Sequence, residues 1–196
     1  MAGSLSPTAD EREHLLGTLA EQRQALRATA YGLTDEQARA SPSRSSLSVA
    51  GLIKHVASNE DRWIDLILEL PPKPRDEAQA DYLAEFEVKP GEKLADVLAL
   101  LDLAAARTTE VIAGIADLGR LVPVPQGVPW YPPDLEAWSV RWVLFHLIAE
   151  GARHAGHADI VREHVDGATA LPLLAAAEGQ PETPWLKPWS PEVPSA

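Results

Sequence analysis

The chain has 196 residues, 45% of them hydrophobic, which is enough to bury one substantial core and gives no reason for a second. Its net charge is −12, and its 17 Lys and Arg are scattered without a basic stripe, so nucleic acid is not an expected partner. Cys is absent, which removes disulfides, thiolate ligands and cysteine nucleophiles together; any metal must be held by His, Asp or Glu. No stretch approaches the roughly 18 to 20 consecutive apolar residues of a membrane span, and the first residues have neither the basic start nor the apolar run of an export signal. A cytoplasmic protein with no membrane partner is expected.

Acidic residues open a first helix over residues 10–33, where Leu15, Leu16, Leu19 and Leu26 recur at helical spacing and Gly32 marks the end. A Ser-rich break at 41–46 ends in good N-cap residues for a second helix. Its apolar positions Val49, Leu52, Ile53, Val56, Trp63, Ile64, Ile67 and Leu68 hold a helical period up to Pro71 and Pro72. Residues 71–90 are charged and sustain no period; they read as a crossing loop with a short helical turn around 78–86, long enough to join two parallel neighbours. A third helix spans 92–116 on Leu94, Val97, Leu98, Leu101, Ala104, Ala105, Val111 and Ile112.

Between 121 and 136, Pro123, Pro125, Pro129, Pro132 and Pro133 exclude a helix and disfavour a hairpin, predicting a long ordered loop. Ser139 caps a fourth helix that should stop at Gly167, and residues 171–177 add a turn or two. The Pro-rich end from 179 onward reads as an extended tail whose Trp185 and Trp189 pack on the bundle or on a neighbouring subunit. Four long helices and little strand predict an all-α four-helix bundle over residues 1–170, followed by a C-terminal extension over 171–196.

The fourth helix carries the chemistry. His146, Glu150, His154 and His157 are spaced four, four and three apart, which puts them on adjoining turns of one side. On a helical wheel His154 lies nearest the apolar centre formed by Leu144, Leu147 and Gly151; Glu150 follows, and His157 and His146 fall farther out. Glu150 and His154 are therefore the carboxylate and imidazole aimed between helices. The plain alternative is a partly solvated i,i+4 hydrogen bond. Gly151 and Gly156, both poor helix formers, predict that something approaches the backbone closely there.

A third ligand has to come from another helix. The second offers His55 at the edge of its apolar face, where it reads either as a ligand or as a satisfied boundary histidine. Glu60 lies near the middle of the apolar arc of the same helix, between Val56 and Ile64, where a carboxylate seldom goes unpaired. It is a candidate metal ligand, an acceptor for the distal N–H of His55 or His154, a catalytic general base with a raised pKa, or the partner of an Arg.

Residues 140–167, with this polar stripe, resemble the last bundle helix of the DinB-like superfamily and, more narrowly, an actinobacterial branch of mini-circle-type proteins. Gly32 to Gln37, the Ser-rich cap, and Leu52 to Val56 with Glu60 and Trp63 fit the same pattern, so the resemblance covers nearly the whole chain up to about Gly167. In that superfamily one His of the second helix and two residues four apart on the last hold a divalent metal, which implies His55, Glu150 and His154 here. The commonest pattern has His at the first of the two late positions; Glu150 departs from it and matches the similar mycothiol-dependent maleylpyruvate isomerases.

The resemblance implies a metal-dependent thiol S-transferase, or a thiol-dependent isomerase, acting on a small molecule. Zinc is the foremost ion, with nickel or iron compatible with the same donors. A low-molecular-weight thiol such as mycothiol would be the cosubstrate, because the chain has no Cys of its own. Trp130, Tyr131 and Trp138, just before the fourth helix, are candidates either to wall the pocket or to cover the end of the bundle. Rival readings are a metal-dependent hydrolase that uses the same three ligands with water as nucleophile and has Glu60 available as base, a non-catalytic small-molecule binder, and a homodimer with the Trp tail at its interface.

Overall fold

In the computed structural model, which describes residues 10–71, 73–126, 128, 131 and 134–191, α1 (Glu11–Thr29) starts where the Asp10 side chain accepts from the Glu13 amide. It ends several residues short of Gly32, because Thr34 and Gln37 form a reciprocal capping box that starts a separate helix, α2 (Asp35–Arg39). Ser48 caps α3 (Val49–Ile67) by accepting from the Gly51 amide. The crossing segment is more helical than its composition predicts: α4 (Arg75–Ala84) occupies half of it. Then comes α5 (Leu94–Ala113).

The expectation of a long loop without strands over 121–136 needs correction. β1 (Leu121–Pro123) pairs antiparallel with β2 (Ala137–Ser139), Val122 facing Trp138. Proline is tolerated because Pro123 is the last residue of β1, and the other four prolines fall between the strands. Ser139 ends β2 and caps α6 (Val140–Asp166), which stops at Gly167 in the left-handed conformation; α7 (Ala170–Ala177) follows.

α1, α3, α5 and α6 form a four-helix bundle. Its directions follow from paired positions along the helices. Lys54 meets Glu92 and Asp61 meets Arg107, so α3 and α5 run parallel. Glu11 meets Arg141 and Thr29 meets Arg162, so α1 and α6 also run parallel; Leu19 shares its half of the core with Ile64 and Ile67 and Leu26 shares the other with Leu52 and Ile53, which sets these two pairs antiparallel. α4 and its flanks supply the crossing that a parallel α3–α5 pair requires.

The core has two halves. Leu26, Leu52, Ile53, Val97, Leu101 and Val161 fill one, and Leu19, Ile64, Ile67, Ile112, Leu144 and Leu147 fill the other. The buried polar side chains Arg23, Glu60 and Thr108 lie between the halves in sequence along their helices, and buried His55 lies within the first half.

Of the tail, Trp189 packs on the bundle. Its ring lies 4.8 Å from the buried Arg162 guanidinium and edge-on to Tyr31, and a Cβ on Gly32, itself at φ +73°, would come within 2.6 Å of it. Trp185 is 85% exposed, at the surface beside Glu163 and Leu171. Among the described residues no helix is long and apolar enough to cross a membrane.

Candidate metal centre

Three side chains from two helices converge midway along the bundle. His55 projects from α3, and Glu150 and His154 project from successive turns of α6, which packs against it. One ligand-type atom from each lies within 4.8 Å of the other two. The His55 and His154 rings meet edge to face with centroids 4.7 Å apart, and His154 Nε2 is 3.4 Å from Glu150 Oε2. His154 Nδ1 is buried and has no hydrogen-bond partner.

Burial sets the charge state of the two rings. Desolvation, reinforced by the Arg62 charge and opposed by Glu150, lowers the His55 pKa to about 4. Desolvation also lowers that of His154, with His55 adding to the effect and Glu150 again opposing it. Both imidazoles are thus held neutral near pH 7, with lone pairs free to donate. Two neutral imidazoles, a carboxylate and an orphaned buried ring nitrogen fit a divalent ion with positions left open for other ligands.

The His55 ring is held from two sides by Glu85 and Phe86, at the end of α4 in the crossing segment. Its Nδ1 lies 3.0 Å from Glu85 Oε2, and Phe86 stacks on its face at 3.9 Å and 17°. Glu85 is buried and forms an ion pair with Arg62 through its other oxygen. Neither Glu85 nor Arg62 lies on a periodic apolar pattern, and Phe86, an apolar residue in charged surroundings, was the only local signal.

Glu60 is held elsewhere. It is 1% exposed and accepts from Arg23 Nε at 3.0 Å, from Arg23 Nη2, and from Thr108 Oγ1 at 2.5 Å. This is the Arg-paired arrangement among the alternatives; the acceptor for His55 is Glu85, and a general-base role for Glu60 finds no support in it. The Arg is Arg23 on α1, which carries no signal in sequence.

His146 lies outside the cluster, packed on the rings of Trp63 at 4.6 Å and Trp142 at 5.3 Å. His157 contacts the His154 ring edge to face at 5.5 Å, and its own Nδ1 is buried without a partner. Trp138 is buried against Trp63 and Tyr131, each 5.0 Å away, and so belongs to the core at that end of the bundle. Trp130 lies outside the described residues. Trp142, not singled out in the sequence, is 43% exposed and stacks between Trp138 and His146, on the row that continues to Glu150 and His154. Of the two glycines, Gly151 meets α1 closely, a Cβ there lying 3.1 Å from Gln22 Cβ. Gly156 does not: nothing lies within 4 Å of the position its Cβ would take.

A conserved protein from Enterococcus faecalis has a similar structure, with TM-score 0.58 and 17% identity over 82% of this chain and 100% of that chain; this likeness shows the fold alone. YfiT from Bacillus subtilis, described as a probable metal-dependent hydrolase with an unusual four-helix bundle topology, aligns with TM-score 0.49 and 16% identity over 92% of this chain and 95% of its own. No curated protein sequence matches the chain significantly. The family model described as mycothiol-S-transferase matches residues 14–167, a span that holds the body of all four bundle helices together with His55, Glu150 and His154. The chain belongs to the mycothiol S-transferase family of DinB-like proteins.

Proposed function

We propose that the protein is a metal-dependent thiol S-transferase that joins a mycothiol-type thiol to a small electrophile, with His55, Glu150 and His154 holding a divalent ion, zinc foremost. The observation that carries this reading is the convergence of the three ligand atoms within 4.8 Å, in a chain of this family. A divalent ion bound there supplies Lewis acidity and lowers the pKa of a coordinated thiol or water toward neutrality. The protein's own part is to hold the donors neutral and oriented and to admit the substrates.

Glu150 is the most open of the three, its side chain 30% exposed against 12% for His154, and it marks the side from which a ligand enters. The His146 ring and the partly exposed Trp142 offer a flat aromatic wall one and two turns before Glu150 on the same helix. Because the chain has no Cys, the thiol arrives from solution, and its S–H proton passes to solvent. The sulfur forms a C–S bond to the electrophilic carbon, and the bond from that carbon to its leaving group breaks, the leaving group (chloride in a chloroalkyl substrate) departing with the electron pair. Such thiols are kept reduced in the cytoplasm, the compartment this reading assigns. A hydrolase would use the same three ligands with water as nucleophile; the Arg23 and Thr108 bonds to Glu60 bear only on the version of it that takes Glu60 as base.

The test is conjugation of purified mycothiol to monochlorobimane by the zinc-loaded protein. Thiol-dependent conjugate formation, lost after chelation and in His154→Ala, is the expected result. A substrate rearranged with the thiol released unchanged would identify the isomerase variant of the same chemistry. A rate unaffected by chelation or by omitting the protein would overturn the reading.

A further inference from the structure

The geometry points to Glu85 as a positioning residue: we propose that it fixes the His55 imidazole with its proton on Nδ1 and the bare Nε2 turned toward Glu150 and His154. This inference rests on the metal-binding reading above. Glu85 caps the C-terminal end of α4, and its side chain is 7% exposed. A carboxylate only accepts hydrogen bonds, so the nitrogen 3.0 Å from its Oε2 must be the one that carries the proton. A neutral imidazole has one N–H, which leaves the lone pair on Nε2. A carboxylate behind a ligating imidazole fixes the ring and raises its basicity as a ligand.

One ion pair holds this carboxylate where it is, and the segment that carries it is itself fixed against α3. Arg62 pairs with Glu85 Oε1 and is itself held, donating from Nη2 to Asn59 Oδ1 at 3.0 Å and lying 5.7 Å from the Tyr82 ring. Phe86, the next residue, covers the face of the His55 ring, so two consecutive residues grip its edge and its face. Gly51, one turn before His55, lets the segment come this near, since a Cβ there would lie 2.3 Å from the Phe86 carbonyl oxygen. His154 has no such support: its Nδ1 is without a hydrogen-bond partner. The centre therefore has one preset imidazole and one free to adjust.

Two measurements test the assignment. The first is a long-range ¹H–¹⁵N spectrum of the imidazoles in the metal-free wild-type protein, which needs no variant. It should show His55 as the Nδ1–H tautomer, and an Nε2–H tautomer would overturn the proposal. The second is zinc affinity by competition with a chromogenic chelator for wild type, Glu85→Ala and Glu85→Gln. Glu85→Ala should bind about 10–100-fold more weakly. Glu85→Gln, which keeps an acceptor oxygen, should recover most of that loss. If Glu85→Ala binds zinc within about twofold of a zinc-binding wild type, the positioning role is wrong and the metal reading stands. A wild-type protein that binds no zinc overturns the metal reading and this inference with it.

Discussion

Two buried polar clusters occupy the middle of the bundle, one between α1, α3 and α5 and the other between α3 and α6. In the first, both carboxylate oxygens of Glu60 accept from Arg23 and one accepts also from Thr108. In the second, His55 is satisfied on its outer nitrogen only, His154 Nδ1 has no partner, and the closest approach between His154 and Glu150 is a long 3.4 Å. The first cluster is closed and needs nothing more from its surroundings. The second is a set of neutral donors and a carboxylate that face one another without satisfying one another. A buried polar group left unsatisfied is costly, so the open cluster is the one that calls for a ligand.

The contrast is broken most completely by removing an imidazole. His55→Ala or His154→Ala should reduce zinc uptake in equilibrium dialysis to background, and thiol-dependent turnover should be lost with it. Glu60→Gln should bind zinc as wild type does. The closed cluster should show the opposite pattern. Glu60→Ala leaves Arg23 buried without a partner and should cost about 3–5 kcal/mol in denaturant unfolding, whereas replacing both members with apolar residues of similar volume should restore most of it. Zinc binding by the folded fraction should not change.

Chelation sharpens the comparison from the other side. Metal bound only to the folded state at a free concentration about 100 times its Kd adds about 2.7 kcal/mol, so removing it should lower the Tm of the wild type and leave that of His154→Ala unmoved. Smaller still is His146→Ala, which should keep the metal and lose about 0.5–1.5 kcal/mol of ring packing with Trp63 and Trp142. The least effect belongs to Gly156→Ala: with open space where the Cβ would go, it should stabilise the helix by about 0.5–1 kcal/mol in thermal unfolding. Gly151→Ala, which meets Gln22 at 3.1 Å, should not stabilise.

The four bundle helices were legible because each repeats apolar residues at helical spacing and three of them begin at Asp10, Ser48 or Ser139, whose side chains accept from the first turn. The prolines of residues 121–136 misled, because their number says nothing of whether they fall inside a strand or between two. Glu150 and His154 were legible from their place on the α6 wheel, and resemblance added His55 to them. What brings His55 into position was not legible. Glu85 and Arg62 are charged residues without periodicity, and their burial depends on how the crossing segment folds back over α3 at Gly51. Arg23 was hidden for a related reason: a charged residue on an amphipathic helix gives no sign that a carboxylate on another helix faces it.

Elemental analysis of tag-free protein, purified without added metal and measured again after dialysis against zinc, tests the central claim most directly. The account predicts about one divalent ion per chain in the wild type, removable by chelation. A wild-type protein that carries no ion and takes none up would contradict it, and would leave the open cluster between α3 and α6 as a buried polar contact with nothing to hold.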